Sequence, residues 1–306
     1  MTTLRIATRR SPLALWQAEH VAARLRAELN VTVDLLPMVT TGDRLVGASL
    51  AKVGGKGLFL KELERSLEEG RADLAVHSMK DVPVTLDAQF EIAAVLERAD
   101  PHDAFVSVRH ARFADLPPGA RIGTSSLRRQ CQLKSLRPDV EVVPLRGNVE
   151  TRLRKLDEGQ CDAVILAMAG LERLGLTGRV RERLPEDVCL PAIGQGAIGI
   201  ECRAADAALR ERLRLLEHAP TRSCVNAERA LNEALGGSCV APIAGYARIA
   251  GDELTLRGLV GDPDGIRVLR GRCTGSVADA RAVGLELAAQ LERQGARALL
   301  AAGSQT

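Results

Sequence analysis

Aromatic side chains are nearly absent from this chain of 306 residues: four Phe, one Trp and one Tyr make up 2% of it. The core must therefore be aliphatic, and the composition argues against the base-stacking surfaces that single-stranded nucleic-acid binders use. Lysine is scarce as well. Of 42 basic residues six are lysines, leaving 36 arginines, a skew that a coding bias explains most simply. Four of the six, Lys52, Lys56, Lys61 and Lys80, nevertheless lie between positions 52 and 80, where a compact ammonium is kept against the trend. The seven cysteines are odd in number, widely spaced and without a C-x-x-C pair, which argues against a disulfide framework and a zinc site. Five histidines, none at ligand spacing with another ligand type, give no basis for a catalytic metal. No secretory signal and no apolar run of membrane length is found. The first eighteen residues are Arg-rich and free of acids, as in a transit peptide, but Leu4–Thr8 reads as an opening strand. A reduced cytoplasmic compartment is the expectation.

What is present describes a globular protein of two or three domains, with 46% hydrophobic and 26% charged residues. A net charge of +3 is too small to imply a nucleic-acid or membrane partner. From Leu4 to about Val95 strands and helices alternate. Ser11-Pro12 is a helix start, with Ser as N-cap and Pro at the first helical position, and Leu13, Trp16, Val21 and Leu25 form its apolar stripe. A strand over 31–39, a loop over 51–59, a helix over 60–69 and a strand over 72–76 follow. Asp100-Pro101 reads as a domain break. Beyond it come strands at 104–108, 121–123, 140–145 and 162–167, with helices starting near Ser126 and containing Arg152. After Pro220 the pattern changes to a helix over 224–235, a meander of strands at 243–249, 254–260 and 266–272 joined by Gly251-Asp252 and Asp262–Gly265, and a last helix over 276–294. No repeat of fixed period is visible. The pattern predicts two α/β lobes and a small α+β domain.

Two glycine motifs do not signify nucleotide binding. Gly194–Gly199 fits G-x-G-x-x-G but precedes a strand where the fingerprint follows one, and Gly54–Gly57 lacks the spacing and hydroxyl of a phosphate loop. The polar strand ends are more informative as a set. Arg9 and Ser11, Thr41 and Asp43, Ser78 to Asp81, Ser125 to Arg129, Arg146 and Arg173 all fall at or just past a predicted strand end. Several also stand at a helix start, where free N–H groups favour anions, and guanidinium forks suit carboxylates. Two facing lobes with such rims would hold an elongated ligand carrying several carboxylates. Cys239, after Gly236-Gly237-Ser238, lies on a flexible turn suited to covalent attachment.

These blocks closely resemble the porphobilinogen deaminase family. The matching runs are R-I-A-T-R-R-S-P-L-A-L-W-Q (5–17), A-K-V-G-G-K-G-L-F (51–59), A-V-H-S-M-K-D-V-P (75–83), G-T-S-S-L-R-R-Q-C-Q-L (123–133), L-R-G-N-V-E-T-R-L (145–153), L-P-A-I-G-Q-G-A-I-G-I-E-C-R (190–203) and G-G-S-C (236–239). The resemblance implies two periplasmic-binding-protein-like α/β domains, domain 1 at 1–98 and 197–216 and domain 2 at 99–196, plus a small C-terminal α+β domain 3 at 217–306. It implies a dipyrromethane cofactor on Cys239, extended by four porphobilinogen units with loss of ammonia and released as hydroxymethylbilane, in a cytoplasmic monomer that binds neither nucleic acid nor membrane. Asp81 matches the catalytic aspartate. Lys80, Ser78, Lys56, Thr124, Ser125, Ser126, Arg128, Arg129 and Arg146 match cofactor-binding positions. Arg9, Ser11, Gln17, Lys52, Phe59, Arg146, Arg152 and Arg173 match the substrate-binding set. Two positions depart from the pattern: Val240-Ala241 follows the cysteine where many relatives have Gln-Val, and Arg10 replaces a residue that is often neutral. His77 reads as a structural residue at a strand end. The rival readings are a solute-binding protein of the same architecture that grips a polycarboxylate, and a nucleic-acid binder that uses the Arg rims.

Overall fold

The computed structural model describes residues 3–41, 60–237 and 241–303. Contacts divide the chain into two compact units, one of 1–99 and 197–222 and the other of 100–196 and 223–306.

Unit 1 is a five-stranded sheet with helices. β1 (Thr3–Arg9) leads into α1 (Pro12–Leu29), β2 (Thr32–Met38), α2 (Lys61–Glu68), β3 (Leu74–Ser78) and β4 (Phe90–Val95), and the chain later returns as β10 (Ile198–Arg203) and α6 (Ala207–Leu213). Ser11 caps α1 by accepting the Ala14 N–H at 3.3 Å, and Asn30 ends it in the left-handed conformation at φ 50°. The sheet order is β2-β1-β3-β10-β4. β1 runs parallel to β2 and β3, and β10 is antiparallel to β3 and β4. Its core is aliphatic, built around Ile6, Val21, Leu25, Leu74 and Ile200. The predicted stripe on α1 is corrected: Gln17, Ala18, Val21, Ala22 and Leu25 are buried. Trp16 is 38% exposed and stacks on His20.

Unit 2 repeats the plan. β5 (Asp103–Ser107), β6 (Arg121–Gly123), α3 (Leu127–Leu136), β7 (Glu141–Val143), α4 (Val149–Asp157), β8 (Ala163–Ala167), α5 (Met168–Arg173) and β9 (Glu182–Arg183) precede the return into unit 1. Here the sheet order is β7-β6-β8-β5-β9, with β6 parallel to β7 and β8, and β5 antiparallel to β8 and β9. Both sheets thus carry three parallel strands in the order second, first, third, followed by an antiparallel one. No sequence repeat announces this, because apolar patterning can be met by many residue combinations.

The rest of unit 2 is α7 (Ala219–Ala234, from Ser223 on), the antiparallel meander β11 (Ile243–Ala250), β12 (Glu253–Gly261) and β13 (Val268–Ser276), then α8 (Ala280–Arg293) and α9 (Ala296–Gly303). One sheet face packs on the helices through Leu254, Leu256, Leu287 and Leu291. The other meets the five-stranded part through Leu259, Ala244, Leu190 and Cys131. The meander expected from the sequence is there, its third strand starting two residues later, and α9 is an additional helix.

Gly284 is where α8 comes closest to α7. A Cβ there would stand 2.2 Å from the Ala227 carbonyl oxygen and 2.8 Å from the Ala230 Cβ, and a helix backbone cannot yield as a side chain can. Gly284→Ala is therefore expected to destabilise the protein by about 1–3 kcal/mol. A urea denaturation midpoint unchanged from wild type would show that this approach is not tight.

Candidate active site

In an open α/β sheet, ligands sit beyond the carboxyl ends of parallel strands, where neighbouring connections leave in opposite directions. In unit 1 that position lies between β1 and β3. Arg9, the last residue of β1, and Ser11, the α1 cap, stand at one strand end, and Ser78 to Asp81 at the other. β3 runs two residues further than the sequence suggested, so His77 and Ser78 belong to the strand. What ends it is a 3-10 turn, Met79–Asp81, well before Pro83.

The residues around this turn are held from several sides. The buried Gln17 amide donates to the Ser78 hydroxyl at 2.8 Å, tying α1 to the end of β3. Met79 is buried, and its N–H donates to the Ala197 carbonyl at 3.0 Å. His77 Nε2 lies 2.8 Å from a Glu201 carboxylate oxygen on β10, with both side chains buried. Burial and the nearby Glu201 raise the pKa of Glu64. Asp81, by contrast, is half-buried, and no hydrogen bond or ion pair joins its carboxylate to another described residue. Lys80 is half-buried beside it. Arg10 is exposed and donates to the Pro37 carbonyl.

In unit 2 the equivalent position lies between β6 and β8. Thr124 follows β6, is buried, and accepts from the Ser126 N–H at 3.2 Å. Ser125 donates to the Leu145 carbonyl, and Ser126 caps α3 by accepting from the Arg129 N–H. Three residues past β7, Arg146 is half-buried, its guanidinium bonded to no other described residue. Its loop turns at Gly147, φ 115°, and Asn148 caps α4. Arg152 donates to the Gly147 carbonyl at 2.8 Å. Arg173 lies at the end of α5, one helix past β8, and not at the strand end. Its guanidinium donates to the Gly196 carbonyl at 2.7 Å, and burial lowers its pKa to about 10.

Arg128 and Arg129 are only about 5% exposed, and both converge on Asp103, whose side chain is sealed from solvent. Arg129 donates to one carboxylate oxygen at 2.6 Å, and Arg128 approaches the other at 2.8 Å. Arg128 also donates to the Leu190 carbonyl, and Gln195 donates to Asp103 at 3.0 Å and to the Pro101 carbonyl at 2.6 Å. Burial alone would raise the Asp103 pKa, but the two guanidiniums outweigh it and hold the carboxyl far below its usual range. Two cations on one anion leave a local excess of one positive charge at the start of α3.

Sequence reasoning saw the arginines and missed their partner. Asp103 stands at the start of a buried strand, and the nearby Asp100-Pro101 had drawn attention only as a domain break. Gln195 lay inside the glycine motif set aside as irrelevant to nucleotides, and Glu201 offered no signal beyond being an acid in an apolar strand. Lys52, Lys56, Phe59, Asp43 and Cys239 lie outside the described residues. Among those described, no group of three or more metal-ligating side chains comes together, and no helix is long and apolar enough to cross a membrane.

Each unit is thus an α/β sheet whose strand ends, where ligands sit in folds of this kind, carry cations, hydroxyls and helix N-termini, with one carboxylate that bonds to no other described residue. Such an arrangement suits a protein that handles an anionic organic ligand. A family model described as the porphobilinogen deaminase dipyromethane cofactor binding domain matches residues 4–211, and one described as the porphobilinogen deaminase C-terminal domain matches 222–293. The chain belongs to the porphobilinogen deaminase family. It is a transferase that joins four porphobilinogen molecules head to tail with loss of ammonia, on a dipyrromethane cofactor, and releases hydroxymethylbilane for tetrapyrrole biosynthesis. The chain is also similar to the VFT2 domain of Bordetella pertussis BvgS, with 16% identity, 69% of this chain and 84% of that one covered, and a TM-score of 0.42. A periplasmic substrate-binding protein of an ABC transporter from Coxiella burnetii gives 14%, 71%, 93% and 0.44 for the same measures. Likeness at this level adds nothing to what the sheets themselves establish.

Replacing Asp103 by Asn leaves two buried guanidiniums without a counter-ion, at an expected cost of about 3–5 kcal/mol. The sign with pH follows from the depressed pKa. The pair's contribution is fully present above the unfolded carboxylate pKa of about 4 and is lost as pH falls toward the lower folded value. Thermal melts between pH 3 and 6 should therefore fall more steeply in acid for wild type than for Asp103→Asn. Parallel curves would show that the carboxylate is not coupled to folding.

Proposed function

We propose that Asp81 is the catalytic carboxylate. The observation that carries this reading is its setting: among residues fixed by Gln17, Ala197 and Glu201, Asp81 alone presents a half-buried carboxylate bonded to no described residue. When ammonia leaves porphobilinogen, the substrate becomes an azafulvene cation. A carboxylate beside the pyrrole N–H stabilises that charge and accepts the proton shed when the new carbon–carbon bond forms. When bound, dipyrromethane supplies the pyrrole carbon to which substrate is joined.

The residues present suit a ligand that bears acetate and propionate groups. Arg146 has guanidinium donors free of described partners, Arg128 and Arg129 carry an excess positive charge, and the α3 N-terminus is lined by Thr124, Ser125 and Ser126. We assign these, with Lys80, Ser78 and Lys56, to cofactor carboxylates. Substrate carboxylates are assigned to Arg9, Ser11, Lys52, Arg146, Arg152 and Arg173, with Gln17 positioning Ser78 and Phe59 packing over the rings. Arg128 and Arg129 have a second role, since their bonds to Asp103 fix α3 itself.

Cys239 is the proposed attachment point, by contrast with the other thiols. Cys131, Cys161, Cys189, Cys202 and Cys224 are buried. Burial raises the pKa of Cys131 and Cys202 to about 12 and pushes Cys161, Cys189 and Cys273 upward too. A thiol so hard to ionise is a poor nucleophile. The three-domain division at 98/99, 196/197 and 216/217, a monomeric state, a cytoplasmic location and the lack of a nucleic-acid or membrane partner belong to the same reading.

Asp81→Asn should fold normally, judged by circular dichroism, and lose about 10²–10⁴ in turnover. Near-normal turnover would reject the assignment. Intact mass of the denatured holoprotein should exceed the chain mass by two porphobilinogen units less the ammonia lost, and Cys239→Ala should remove the increment. An adduct that persists in Cys239→Ala would place the attachment elsewhere.

A further inference from the structure

A second concentration of arginines lies away from these strand ends, on the three-stranded meander. Along β13 the side chains alternate. Leu269 and Cys273 join the apolar cluster that includes α8, and the Cα of Gly271 faces Leu287. Arg270 and Arg272 therefore point to the opposite face. On that face Arg272 is paired in register with Arg257 of β12, and Arg270 with Leu259. Like charges directly opposite each other on a sheet, with Cβ atoms about 5 Å apart, repel and destabilise the pairing.

This face is only partly covered. Its apolar end, with Leu259 and Val268, packs on Cys131 and Leu190. Beyond that end, two adjoining cavities of about 330 and 420 Å³ open between the sheet and the segment around Glu186. Arg257 and Arg272 line both, and Arg270 and Gln132 line the larger. Of the nearby acids, Glu186 and Asp187 are committed to arginines, and the exposed Glu253 lines only the smaller cavity, which Arg270 does not line. Glu186 is 8% exposed at its side chain and already receives Arg248 and, at 3.1 Å, Arg257. Asp187 takes the other end of Arg257 at 2.5 Å. Arg270 and Arg272 form no ion pair or hydrogen bond through their side chains with any described residue.

We propose that these cavities form a binding site for a small multivalent oxyanion, held by Arg270 and Arg272 with Arg257 at its edge. A cavity of this size admits a phosphate or a compact polycarboxylate, and planar guanidinium forks match the oxygens of either. The anion would give Arg270 and Arg272 the counter-charge that Glu186 and Asp187 already give Arg257. The site is separate from the strand ends at which the cofactor and substrate groups were assigned, so its occupation does not depend on those assignments.

The test is isothermal titration of holoenzyme with inorganic phosphate and, separately, citrate, at constant ionic strength against a chloride control. Saturable binding of at least one probe is expected, weakened tenfold or more in Arg272→Ala and abolished in Arg270→Ala/Arg272→Ala. Both variants should keep their folded circular-dichroism spectrum, because the two side chains are exposed and unpaired. The proposal is overturned if neither probe binds beyond the chloride control, or if the double variant binds as wild type does.

Discussion

A carboxylate sealed from solvent between two guanidiniums holds the larger unit together. Asp103 begins β5, and through it α3, the Gln195 segment and the Cys189 thiol are fixed to one strand. The chain enters unit 2 at Asp100 and leaves it at Gly196. The bond from Gln195 to the Pro101 carbonyl pins entry and exit side by side. An ion triad of this kind is costly to desolvate, and its attraction outweighs that cost only when nearly every donor and acceptor is satisfied. It therefore specifies geometry more than it adds stability. The excess positive charge it leaves at the start of α3 is available to an anion without a separate, unpaired arginine having to be buried.

Unit 1 solves the same problem with hydrogen bonds and one buried histidine–carboxylate pair. Gln17, Ala197 and Glu201 each fix a neighbour of Asp81, and none of them bonds that carboxylate. Unit 1 carries its candidate groups at the ends of the first and third parallel strands, and unit 2 carries them past the first and second strands and on the helix after the third. Groups on rigid strand ends are held precisely, which suits chemistry that tolerates little misplacement.

Much of this was legible because it is local. Ser11-Pro12, the small-residue turn before α3 and Arg146-Gly147-Asn148 announce caps and turns within three or four residues, so they can be read in one dimension. The meander was legible from alternation and turn formers. The extent of β3 was not. The strand read over 72–76 stops short of His77 and Ser78, which pair with Gly199 and Ile198 across more than a hundred positions. Trp16 failed as a core residue because the α1 stripe is set by what packs on it, and small Ala18 and Ala22 fit there better than an indole.

The sequence by itself determined the family and the class of chemistry, since these reside in residue types at short spacings. Only tertiary structure decided what each cation does. Arg128, Arg129, Arg146 and Arg173 look alike in a chain with 36 arginines. Yet two are bound to a buried aspartate, one has a guanidinium bonded to no described residue, and one is partly desolvated against a backbone carbonyl. A guanidinium's role depends on the nearest anion and on its access to water, and both are set by segments that fold against it from far along the chain.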